Sequence, residues 1–151
     1  LPLGTDASIA PESFALCAVT VLTYALMAVA LGFALGQCGV SEEAANGFAN
    51  VFSLVVAFTG GAWFPASLMP DAMLVLGHLL PGWWYGDALC AALGLGEHAA
   101  SCPDAGAWAS STGLVLMYAA AFTCVGLAVG AIRARRPRSD TAERTTELAV
   151  G

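Results

Sequence analysis

Four side chains in this sequence are candidates for moving a proton or holding a metal: His78, His98, Asp87 and Glu97. A metal site needs ligands spaced to converge on one point, and the chain has neither His-x-x-x-His nor Cys-x-x-Cys. No metal site is therefore expected. Asp87 stands in an otherwise apolar stretch, where ionisable groups often serve function. It reads either as a working group or as a carboxylate facing outward where its segment leaves the membrane. His78 reads as a residue at the membrane surface with a partly solvated ring. Five cysteines complete the set. Cys17 and Cys124 fall in apolar runs and read as small packing groups. Cys38 lies in a short polar turn and is expected to be reduced. Cys90 and Cys102, twelve positions apart, can bridge in an oxidising exterior.

The elements that would position these groups belong to a membrane. Hydrophobic residues make up 58% of the 151 and charged residues 11%, against roughly 25% charged in a soluble domain. So much apolar surface does not fit inside one aqueous core of this size. The chain has no Lys, and its five Arg (Arg133, Arg135, Arg136, Arg138 and Arg144) all follow the last apolar run. Juxtamembrane Arg marks the cytoplasmic side. Trp63, Trp83, Trp84 and Trp108 fall near the opposite ends of their segments, where indole rings prefer the membrane–water interface. The opening "LPLGTDASIA" has no initiator Met and no basic run before an apolar one, so the chain reads as the carboxyl-terminal part of a longer protein, or a trimmed one, with no signal peptide.

An all-α integral membrane protein is expected, with three transmembrane helices: Ser13 to Gln37, Ala44 to Phe64 and Ala105 to Ile132. Residues 1–12 are then external, the "CGVSEEA" turn is cytoplasmic, and 133–151 form a cytoplasmic tail. Ser41 followed by Glu42 and Glu43 is suited to a helix start. In the second span Asn46, Asn50, Ser53, Ala57 and Gly60 share one stripe. Similar stripes are Ala28, Gly32 and Gly36 in the first span and Gly126 with Gly130 in the third, spacings that let helices approach closely in lipid. The two Asn are costly facing lipid, by several kcal/mol each, and should face another helix or a wet route.

Between the second and third spans lies "GGAWFPASLMPDAMLVLGHLLPGWWYGDAL", Gly60 to Leu89. Pro65, Pro70 and Pro81 forbid one straight helix. "PDAMLVLGHLL" and "GWWYGDALCAALGLG" are each long enough for a short helix and too short to span. The expected result is an external re-entrant helical hairpin over about 66–95, with Trp83, Trp84 and Tyr85 as interfacial aromatics at its junction.

The run from Asn46 to Leu89 resembles the permease subunits of type-2 ABC exporters. It carries a Gly-Gly pair (Gly60, Gly61), Phe64-Pro65, Leu68-Met69-Pro70 and then Pro81 followed by Trp84-Tyr85 and Ala88-Leu89, in the family's order and spacing. The "WWY" after Pro81 looks most like the subfamily assigned to multidrug or bacteriocin-type export.

The resemblance implies a permease subunit in the cell membrane that forms the export path, for drugs, peptides or lipid-like compounds. It implies a partner ATP-binding subunit that holds ATP and Mg, no cofactor in this chain, a second permease copy, and contact with lipid rather than nucleic acid. A phosphate-binding loop ending in Lys-Ser/Thr cannot exist in a chain without Lys. On this reading Asn46, Asn50 and Ser53 face the transport seam, while Gly60, Gly61, Pro65, Pro70, Pro81, Trp84, Tyr85 and Asp87 shape the path or its outer gate. The alternative is a small non-transporting membrane protein: an assembly factor, or an intramembrane enzyme using Asp87 and His78 as a pair.

Overall fold

The computed structural model describes residues 11–60, 68–98 and 103–135. Among them the regular elements are helices: α1 (Pro11–Cys38), α2 (Glu42–Thr59), α3 (Asp71–His78), α4 (Pro81–Leu93) and α5 (Ala105–Arg135), with a 3-10 turn at Gly96–His98. The expected all-α fold is present.

Helices α1 and α5, 28 and 31 residues, are long and apolar enough to cross a membrane. Helix α2 is shorter, 18 residues, and Glu42, Glu43, Asn46 and Asn50 make it more polar. It starts as the sequence indicates, with the Ser41 hydroxyl accepting from the Ala44 N–H at 3.3 Å. It ends at Thr59, capped by Gly60. The remainder of the expected second span, beyond Gly60, lies outside the described residues.

Two long-range bonds set the direction of the long helices. Trp108 near the start of α5 donates its indole N–H to the Thr20 hydroxyl of α1 at 2.8 Å. At the other end, Arg133 of α5 donates to the Gln37 carbonyl at 2.9 Å. The two helices therefore run parallel. The guanidinium of Arg133 also covers Gly39, whose φ of 67° is left-handed. A side chain there would meet the guanidinium as well as backbone strain. A cation from α5 thus caps the carbonyl end of α1.

The packing is the inverse of a water-soluble bundle. Buried in α1 are Ser13, Thr20, Thr23, Met27, Ala30 and Ala34; in α5 they are Ser111, Thr112, Val115, Ala119 and Gly126. Large apolar side chains such as Phe14, Leu22, Val29, Met117 and Leu127 point outward. Small and hydroxyl-bearing residues let helices approach in lipid, where burying Leu gains little. Thr20 and Thr23 donate to the carbonyls of Leu16 and Val19 one turn back, which satisfies their hydroxyls within α1.

One expected stripe faces elsewhere. Ala28, Gly32 and Gly36 of α1 are exposed, and α1 packs on α5 through its hydroxyl-bearing face. The α5 stripe is used as expected: Gly126 abuts Phe33 and Ala34, and Gly130 abuts Gln37.

Candidate functional site

The broken segment forms two short helices. Pro70, extended at φ −61° and ψ 149°, sits at the N-cap of α3, with Asp71 in the first turn beside the positive end of the helix dipole. Leu80 is held extended by the proline after it, and Pro81 opens α4 where its missing N–H leaves no bond unmade. Gly94 ends α4 in the left-handed conformation, donating its N–H to the Cys90 carbonyl.

The turn between the helices needs hydrogen-bond partners that lipid cannot supply, and the protein supplies them. The Trp84 indole N–H donates to the His78 carbonyl at 3.0 Å, and the Tyr118 hydroxyl donates to the Leu79 carbonyl at 2.9 Å. The Leu80 N–H donates to Gly77 at 2.9 Å. Tyr118 lies about 20 Å along α5 from its start, at 1.5 Å per residue. From that level α4 climbs antiparallel to α5. Asp87 meets Ser111, and the Ala91 carbonyl accepts from the Asp104 N–H at 3.0 Å, just before α5 begins. The tip of the hairpin thus lies partway down α5, and α4 returns to the end of α5 that carries Trp108.

This placement gives two of the aromatics partners within the protein. Trp84 and Tyr85 are half-buried and pack inward against the core of Met27, Ala30, Val115 and Ala119. The Tyr85 ring lies 4.4 Å from that of Tyr24, centroid to centroid. The indole N–H groups of Trp84 and Trp108 bond within the protein. The His78 residue is exposed: Nδ1 donates to the Leu74 carbonyl at 2.7 Å and the ring rests on Trp83, 4.4 Å away.

Where α2 reaches the hairpin, glycines replace side chains. A Cβ on Gly82 would strike the side chain of Val56 and come within 3.0 Å of its carbonyl oxygen. On Gly60 it would meet the Gly82 carbonyl at 3.0 Å, and on Gly86 the Gly60 carbonyl at 2.9 Å. Backbone therefore crosses backbone at the joint. Gly60 was expected near the gate. Gly82 and Gly86 were missed, although their four-residue spacing beside Pro81 was a usable signal.

Asp87 is not paired with His78, and the dyad of the enzyme alternative is not formed. Its Oδ1 lies 3.1 Å from Nε2 of His98, and its Oδ2 accepts from the Ser111 hydroxyl at 2.6 Å. The other ring nitrogen of His98 lies 3.4 Å from Oδ2 of Asp104. Asp104 Oδ1 in turn accepts from the Ala107 N–H at 3.1 Å, capping α5. The hydrogen bond to Asp87 is the main influence holding the His98 pKa above its ordinary value, partly opposed by desolvation. Asp104 is held below the usual carboxylate range, first by the Ala107 N–H and then by His98, against desolvation. Neither expectation for Asp87 foresaw this bridge, because His98 lies eleven positions away in a different element.

Asn46, Asn50 and Ser53 form an exposed stripe on α2. Only Val56 and Thr59 of that helix are buried, at the end that meets the hairpin. Gly61, Pro65, Cys102 and the neighbouring Trp63 and Phe64 lie outside the described residues, so the Cys90–Cys102 pairing falls outside them too.

Parallel apolar helices with small and hydroxyl-bearing seams, and a short-helix hairpin whose second arm packs against both, define a helical integral membrane protein. Residues 3–132 match the model of the ABC-2 family transporter protein. The chain belongs to that family. Over 81 residues it is 35% identical to "Putative transport permease YvfS" of Bacillus subtilis (strain 168), a match covering 54% of this chain and 33% of the relative. The chain thus spans about a third of that relative's length. No solved structure shows significant similarity to it.

Proposed function

We propose that the chain forms part of the membrane path of an ATP-driven exporter in the cell membrane. A separate ATP-binding subunit supplies the energy, and a second permease copy completes the path. The observation that carries this reading is the α2 stripe of Asn46, Asn50 and Ser53, polar along a helix whose other exposed residues include Phe48, Val51 and Leu54. In a transporter family, such a stripe is best explained by a seam along which a polar part of the substrate, or water, passes. Closure of the ATP-binding subunits rocks the spans between inward- and outward-facing states, and the hairpin gates the outer end. The α5 end carrying Arg133 is cytoplasmic, and the substrate class is drugs, peptides or lipid-like compounds.

The test is copurification and transport with the full-length permease. A complex with an ATP-binding subunit and ATP-dependent uptake of a hydrophobic dye into inside-out vesicles support the reading. Asn46→Leu and Asn50→Leu should lower that uptake while leaving the amount of folded protein unchanged, because neither side chain is packed within the chain. Transport that is indifferent to both substitutions sinks the assignment of the seam; absence of any nucleotide-dependent partner sinks the exporter.

A further inference from the structure

His98 stands between two carboxylates carried by different elements. Asp87 belongs to α4, the returning arm of the hairpin, and Asp104 belongs to the start of α5. Each faces a different ring nitrogen, at 3.1 and 3.4 Å. A neutral imidazole carries one N–H, so one of the two carboxylates then meets a lone pair; only the imidazolium donates to both. Ser111, wholly inside the α4–α5 contact, fills the second oxygen of Asp87. Following Asp87 on the same helix, Ala88, Ala91 and Ala92 are completely buried. Small alanines make a smooth contact without interlocking side chains, so the polar cluster, together with the Asp104 N–H to Ala91 carbonyl bond, ties the upper end of α4 in place. Among the described residues the titratable groups around His98 are Asp87, Asp104 and, one turn on from Asp87, Cys90. The Arg residues with described positions, Arg133 and Arg135, are at the far end of α5.

We propose that His98 is a pH-operated latch: protonated, it clamps the re-entrant hairpin to α5, and deprotonated, it releases the outer end of α4. The latch works on the side of the molecule opposite Arg133, so it senses the compartment on that side. The shift of the His98 pKa above its ordinary value agrees in sign with a closed form that holds the proton more tightly. By linkage, a proton held tenfold more tightly in the closed form changes the closed-to-open ratio by about tenfold between low and high pH. The latch involves only the hairpin and α5, so it stands or falls independently of the partner and substrate proposed above.

The test uses the purified full-length permease in lipid nanodiscs, with native cysteines replaced and spin labels at Leu95→Cys and Met117→Cys. Both sites are exposed, one at the exit of α4 and one midway along α5. Raising the pH from about 5 to about 9 should convert a narrow distance distribution into a broader, longer one. A reference pair at Leu22→Cys and Leu127→Cys, on α1 and α5, should not change. His98→Gln should abolish the pH dependence. Asp104→Asn, which keeps the histidine and removes one carboxylate, should move the midpoint to lower pH. A distribution unchanged across pH in the otherwise native protein, a transition that survives His98→Gln, or an unmoved midpoint in Asp104→Asn each overturns the latch.

Discussion

The hydroxyl of Tyr118, partway along α5, donates to the carbonyl of Leu79 at the tip of the hairpin across 2.9 Å. One side chain thereby fixes how deep the hairpin reaches and satisfies a carbonyl that has left its helix. Tyr118→Phe keeps the ring and removes only the donor. Losing a hydrogen bond of this kind costs about 0.5–1.5 kcal/mol. The variant should unfold at lower temperature in mild detergent, and the tip should become more susceptible to protease. An unchanged melting temperature would mean that water or another donor replaces the hydroxyl.

The glycine joint offers a steric prediction. Gly82→Ala places a methyl against Val56, side chain and carbonyl together. Overpacking of this kind costs about 1–3 kcal/mol, and Val56→Ala in the same chain should recover part of the loss by giving room. Gly32→Ala is the control: nothing lies within 4 Å of its Cβ, and a Gly-to-Ala change inside a helix is neutral or stabilising by up to about 1 kcal/mol. Thermal melts of the four proteins decide the matter; equal effects at Gly82 and Gly32 contradict the close crossing.

Stability should depend on pH in a defined window. The folded pKa of His98 lies above its ordinary 6.5, so its contribution is fully present below pH 6.5 and is lost as pH rises through the folded value. The folded pKa of Asp104 lies below 3.8, so its contribution is present above pH 3.8 and is lost as pH falls through the folded value. Both act together between about pH 3.8 and 6.5. Melting temperatures of the full-length permease should decline on the alkaline side of that window. His98→Gln should flatten that decline; a slope of the same size in the variant would assign it to other groups.

Sidedness can be read with thiols. Leu68 and Leu95 flank the hairpin, and both are exposed. After replacement of the native cysteines, Leu68→Cys and Leu95→Cys should both react in intact cells with a reagent that does not cross membranes. Val40→Cys, in the turn beside Arg133, should react only after the cells are opened. A cytosol-dependent reporter fused at Gly151 should be active. Labelling of Leu68 and Leu95 from opposite sides would convert the hairpin into a crossing.

The positions of the helices were legible in the sequence because their signals act over a few residues. Ser41 caps its own helix, Pro81 opens one, and uncharged runs of the right length become α1 and α5. The same locality made the break at Leu79–Leu80 legible, since a proline restricts only itself and the residue before it. Which residues meet was decided by tertiary structure. Asp87 takes His98 and not His78, Trp84 and Trp108 turn their N–H groups inward, and α1 packs through Thr20, Thr23 and Met27 while Gly32 and Gly36 stay outside. Those outcomes depend on the rotation of each helix about its axis and on the level at which it meets its neighbour. Both are set by the sum of many weak contacts and by the need to pair every buried polar group, and no single stretch of sequence carries that sum.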